Sequence, residues 1–116
     1  AMWPLPEARW PAGGPHQPIA LGVVTAAAGL FAVHAALTAA YGAVSGPASA
    51  AFRLLGLHPY RVHALLAGLA GECDRVAALA ATHAEEDPEN LPAASAPLLD
   101  IGAEVHASWE VRLFAS

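Results

Sequence analysis

From Ile19 to Phe52 the chain carries no charged residue. A stretch that long without a charge cannot remain in water as an open surface. It must face a bilayer, a partner or the interior of a fold. The run is mostly Ala with scattered Leu, Val and Phe. Ala is the strongest helix former, so the run reads as helix. The remainder of the composition sharpens the problem. Apolar residues make up 56% of 116 residues and charged residues 13%, where soluble domains carry about 25% charge. Chain length allows one domain with one modest core. Too few charges remain to cover a small domain, so the apolar excess meets a partner, a membrane or a missing part of the protein.

Proline and glycine divide the chain. Residues 1–17 hold four of the ten prolines and the run Gly13-Gly14-Pro15, which predicts an irregular lead-in or linker with Trp3 and Trp10 as anchors. Pro18 opens a first helix and Gly29 stops it. A second helix begins near Leu30 or Phe31, and Ser45-Gly46-Pro47 predicts a kink or short break within it. It resumes through Arg53 and ends near Gly56. Pro59 opens a third helix, on which Val62, Leu66, Leu69, Cys73, Val76, Ala80 and His83 alternate in steps of four and three and predict one buried seam. Glu85-Glu86-Asp87-Pro88-Glu89-Asn90 reads as a solvated acidic turn. Ser95 or Ala96 caps a last helix opened by Pro97, with a stripe of Leu98, Ile101, Val105 and Trp109. No strand pattern appears. The predicted fold is all-α, an Ala-rich bundle of four or five helices without a sheet, with a helical domain over 18–116.

The chemistry-bearing residues are sparse. All five cations are Arg and the net charge is −5. That excludes the basic stripe a nucleic-acid module needs, and a chain without Lys has no phosphate-binding Gly-x-x-x-x-Gly-Lys loop. No Gly-x-Ser-x-Gly elbow surrounds Ser45 or Ser49. The six histidines, His16, His34, His58, His63, His83 and His106, lack zinc-site spacing. His34 reads instead as a hydrogen-bonded core or interface residue. The single cysteine, Cys73, reads as a small buried hydrophobe and excludes a disulfide framework, which fits a reducing compartment. The start of the chain shows no secretory pattern. The expectation is therefore a cytoplasmic non-enzyme that binds no metal or cofactor. Two alternatives stand beside it. One is a helical membrane protein using residues 19–52, with Gly42 and Gly46 at small-xxx-small spacing. Against it, Gly29 and Pro47 divide the run and no basic residue flanks it. The other is a histidine-based metal- or ligand-binding helical domain.

Five segments, in order, carry a family resemblance. Pro18-Ile19-Ala20-Leu21-Gly22 comes first, then Tyr41 twelve residues before Arg53, then Ala50-Ala51-Phe52-Arg53-Leu54-Leu55-Gly56-Leu57. Pro97-Leu98-Leu99-Asp100 follows, and the tail runs from His106 to Arg112-Leu113-Phe114-Ala115-Ser116. Together they resemble the C-terminal half of the urease accessory protein family UreF, in an Ala-rich actinobacterial style. Two departures are visible. His58-Pro59 stand where many members have Gly-Gln, and Ala115 stands where many have a second Arg.

The resemblance implies an all-α, non-enzymatic urease maturation factor that tends to form a homodimer. It implies a scaffold that links the accessory protein UreD (also called UreH) and the GTPase UreG on apo-urease for nickel insertion. Nickel is then handled by the assembled complex and not by this chain. On the same ground the partner-binding residues are His106, Arg112, Leu113, Phe114 and Ser116 in the tail, docking UreD. Tyr41 and Arg53 come second, on a UreG-facing or dimer surface. The expected partners include neither nucleic acid nor membrane. The resemblance also implies that this chain corresponds to half of the family's length, which would account for the apolar excess.

Overall fold

A computed structural model describes residues 14–109. They form five α-helices and no strand: α1 (Gln17–Ala27), α2 (Ala32–Leu55), α3 (Pro59–Gly68), α4 (Ala70–Ala81) and α5 (Pro97–Ala107), with a single 3₁₀ turn at Pro88–Asn90. The all-α expectation holds. The chain divides into two units at Glu85 and Glu86, with α1–α4 in the first and the 3₁₀ turn and α5 in the second.

Helix ends fall where the punctuation places them. Pro18, Pro59 and Pro97 each lie in the first turn of a helix, where a missing N–H costs nothing because the first amides have no intrahelical partner. Gly29 and Gly56 follow α1 and α2 at φ +74° and +60°, the left-handed conformation that ends helices and suits glycine. At the start of α2 the Phe31 amide donates to His34 Nδ1 at 3.1 Å. His34 is thus a hydrogen-bonded residue on an exposed turn, not in the core.

Two expectations about helix continuity are corrected. Pro47 does not interrupt α2, which runs unbroken from Ala32 to Leu55. Ala43, whose carbonyl loses its usual donor at Pro47, is exposed, as is Pro47 itself. Val44, Ala48 and Ala51, on either side of Pro47, are part-buried, so packing on both sides supports the helix through the proline. The segment after Pro59 is also not one helix. Leu69 separates α3 from α4, with φ −89° and ψ −6°, and its amide is shared between the Leu65 and Leu66 carbonyls at 3.1 Å each. Gly68 and Gly71 flank the step, and each weakens the helix by about 1 kcal/mol relative to Ala.

Packing in the first unit centres on α2. It lies chiefly along α4 and also meets α1 and α3, while α3 meets α4 near their junction. The α2 side is part-buried through Leu37, Ala40, Val44, Ala48 and Ala51. The facing elements bury Val62, Cys73 and Ala77, the last at 1% exposure. Small side chains on both sides let helix axes approach closely. Cys73 is the small buried hydrophobe its position predicts. The seam itself is corrected. It passes through Ala77 and part-buried Ala81 rather than Val76 and Ala80, because a 3.6-residue helix drifts off a strict alternation of four and three. On α1, Thr25 is buried and its hydroxyl donates to the Leu21 carbonyl at 2.8 Å.

Candidate partner interface

The turn from α2 into α3 builds a groove in the first unit. Gly56 reverses the backbone, His58 is extended at φ −69° and ψ 123°, and Pro59 starts α3 at once. This lays Leu57 and His58 beside the first two turns of α3. The result is an open groove of 690 Å³ lined mainly by Leu57, His58, Arg61, Val62 and Leu65. Its walls are apolar, with one guanidinium and one imidazole at the rim. His58 stacks at a tilt on Tyr60, centroids 5.6 Å apart, and Tyr60 is 80% exposed. An open groove with apolar walls and one Arg suits a protein segment better than a small molecule, which needs an enclosing cavity.

A second apolar surface continues from it. Leu65, Leu69, Val76 and Leu79 project from α3 and α4 at helical spacing and are all exposed, Leu65 by 70% and Leu79 by 56%. They flank the seam of Val62, Cys73 and Ala77 on its exposed side. Glu72 sits among them and is held by Arg75, whose Nε donates to Oε2 at 2.9 Å and whose second nitrogen donates to Oε1. That guanidinium keeps the Glu72 carboxyl below the ordinary carboxylate range, and Arg75 is raised in turn.

The residues named from the sequence are not gathered into one site. Tyr41 lies mid-way along α2 at 53% exposure, and Arg53 lies in its last turn. Twelve residues of helix separate them by about 18 Å and a third of a turn. Arg53 is engaged with another residue, not free. His106 is on α5 in the second unit, its ring 5.4 Å from that of Trp109. Within that unit Leu98, Ile101, Val105 and Trp109 are all exposed. Arg112, Leu113, Phe114 and Ser116 lie outside the described residues, as do Trp3 and Trp10. Among the described residues no three His, Cys, Asp or Glu side chains come together as metal ligands. No described helix is long and apolar enough to cross a membrane. Sequence reasoning missed the groove. Its one signal is the break from Gly56 to Pro59, which the sequence marks as the end of one helix and the start of the next.

A family model described as UreF matches residues 1–70. Curated relatives named urease accessory protein UreF match nearly the whole chain. The protein of Mycobacterium sp. (strain JLS) is 47% identical over 99% of this chain and 51% of its own length. That of Mycobacterium marinum is 44% identical over 100% of this chain and 52% of its own. That of Mycolicibacterium vanbaalenii is 41% identical over 99% and 50%. The chain spans about half the length of these relatives. No solved structure matches it.

Proposed function

The chain belongs to the UreF family of urease accessory proteins, and from that membership we propose that it acts in urease maturation as a non-enzymatic scaffold. In this reading it joins a UreD-type protein (UreH) and the GTPase UreG on apo-urease in the cytoplasm. Nickel passes through the assembled complex and is not held by this chain. The observation that carries the reading is the match to named accessory proteins across essentially the whole chain. The kind of surface present supports it. The groove of Leu57, Arg61 and Leu65 and the outward stripe of α5 offer area for proteins.

The tail is the proposed UreD-docking element. A terminal Arg112-Leu113-Phe114 combines a guanidinium with two apolar anchors, the residue types that dominate binding energy at interfaces. Co-purification with a UreD-type protein tests this. The full chain is retained, and a version ending at Glu104 is lost. Phe114→Ala or Arg112→Ala weakens binding by about 1–4 kcal/mol while the helical circular dichroism stays unchanged. Unaltered retention of the shortened chain overturns the assignment of the tail.

A further inference from the structure

We propose that His34 makes the corner between α1 and α2 a pH-sensitive joint: the neutral imidazole caps α2 through the Phe31 amide, and the imidazolium releases that cap. Two hydrogen bonds close a ring at the start of α2. The His34 amide donates to the Phe31 carbonyl at 2.9 Å, and the Phe31 amide donates to His34 Nδ1 at 3.1 Å. A backbone N–H can only donate, so Nδ1 must present its lone pair and the ring proton must sit on Nε2. In the imidazolium both ring nitrogens are donors, and the Phe31 amide has no acceptor. The arrangement is a capping box with histidine where Glu or Gln usually stands. Gln keeps its acceptor at every pH, whereas histidine gives it up on taking a second proton.

No other side chain serves that helix end. Phe31 offers no side-chain acceptor, and the first turn of α2 holds no acidic residue. The unpaired amides there form the positive end of the helix dipole, so an imidazolium is also repelled. One contact opposes release. The His34 and Phe31 rings lie 6.0 Å apart between centroids, tilted by 31°, and a cation is attracted to an aromatic face. That attraction holds the rings together but supplies no acceptor, so the cap opens while the ring pair persists. The effect reaches the corner itself. Gly29 turns at φ +74°, the Leu30 amide donates back to the Thr25 carbonyl at 3.1 Å, and Phe31 then enters α2. Leu30 and Phe31 line a groove of 370 Å³ with Gly22, Thr25, Ala32 and Ala84, so the cap sets one wall of that groove.

Other titratable groups at this corner are few. α1 carries none, and His16 stands at its far end. α4 reaches the corner through Ala84, which His83 and Glu85 flank, with Glu86 next in sequence. Glu72, Asp74 and Arg75 lie in the half of α4 away from Ala84. α3 meets the other end of α2, where Pro59 and His63 share a small cleft with Ser49 and Phe52, and Arg61 lies on that helix. His83 is therefore the second imidazole to separate from His34. The inference rests on this geometry and not on the UreD-docking reading.

The test is an NMR titration of the isotopically labelled chain from about pH 8 to about pH 5. At the upper end His34 is expected as the Nε2–H tautomer. As pH falls, the Phe31 amide shift is expected to titrate with the same midpoint as the His34 ring. Protection of the His34 amide, corrected for the intrinsic effect of pH on exchange, falls about fivefold, the size of a typical helix cap. His34→Gln keeps that protection across the range, His34→Ala lacks it across the range, and His83→Gln leaves the Phe31 titration in place. An Nδ1–H tautomer at the upper end overturns the proposal, and so does a Phe31 amide indifferent to the ionisation of His34. A Phe31 titration that survives in His34→Gln and vanishes in His83→Gln overturns it as well. If a variant fails to fold, the tautomer and the two midpoints in the unaltered chain decide the matter.

Discussion

Gly56 closes α2 at φ +60°, and no heavy atom lies within 4 Å of where its Cβ would be. A side chain there meets no steric contact, so its whole cost is the left-handed backbone. Gly56→Ala is expected to destabilise the first unit by about 1–2 kcal/mol. Gly42 gives the opposite sign. It lies inside α2, also with open space around its Cβ position, and Gly42→Ala is expected to stabilise by about 0.5–1 kcal/mol. Urea unfolding of both variants beside the parent checks the pair, and equal shifts would show that α2 is not built as described. At Glu72 the prediction concerns pH. Its carboxyl is lowered by the Arg75 hydrogen bonds. A group lowered in the folded state stabilises above its unfolded pKa, and that contribution is lost as pH falls through the folded value. Glu72→Gln is therefore expected to narrow the fall in urea midpoint between about pH 7 and about pH 3. Added salt is expected to narrow it in the parent as well, because the pair is exposed and screened.

At the scale of the element, α2 holds the largest local conflict. A proline in a helix interior costs about 3 kcal/mol through its missing donor and the clash with the preceding turn. Pro47 nevertheless sits inside α2, with part-buried residues on both sides. Pro47→Ala is expected to raise unfolding stability by about 1–3 kcal/mol without changing helix content, as read by chemical denaturation and circular dichroism. A loss of stability would mean that α2 needs a bend there to follow α4. This conflict also marks what the sequence could reveal. Local chemistry made the helix ends legible, because Pro18, Pro59 and Pro97 open helices and Gly29 and Gly56 close them. Tertiary packing decided the rest. Part-buried Val44, Ala48 and Ala51 carry α2 on through a residue that local rules would break at. Gly68 and Gly71 divide at Leu69 what an uninterrupted apolar period reads as one helix. The groove was illegible for the same reason, since it exists only when Leu57 and His58 fold back beside Arg61 and Leu65. Tyr41 and Arg53, linked by spacing in the sequence, stand on different sides of α2 because twelve residues do not complete a whole number of turns.

For the whole molecule, the deciding quantity is how little the first unit hides. Among the described residues only Thr25, Val62, Cys73 and Ala77 are buried, and no large side chain is fully buried. Phe31, Leu55, Tyr60 and Leu65 are instead at least 70% exposed. Each large apolar side chain left in water forgoes about 1.5–3 kcal/mol that burial would supply, against a typical domain stability of only about 5–15 kcal/mol. The composition anticipated this, since 13% charge cannot coat a domain of 116 residues. The chain alone is therefore expected to bind a hydrophobic dye and to melt over a broad, low transition. A polypeptide that covers the α3–α4 stripe binds only the folded form, so it stabilises by mass action. At a free concentration one hundred times its Kd the gain is about 2.7 kcal/mol, which for a chain of this size raises Tm by about 10–15 °C. Calorimetry with the complementary half of a relative measures this directly, and dye binding should fall in step with the rise. A Tm that stays fixed while the dye signal persists would mean that the exposed faces are not a core awaiting its other half. They would then belong to the partner surface alone.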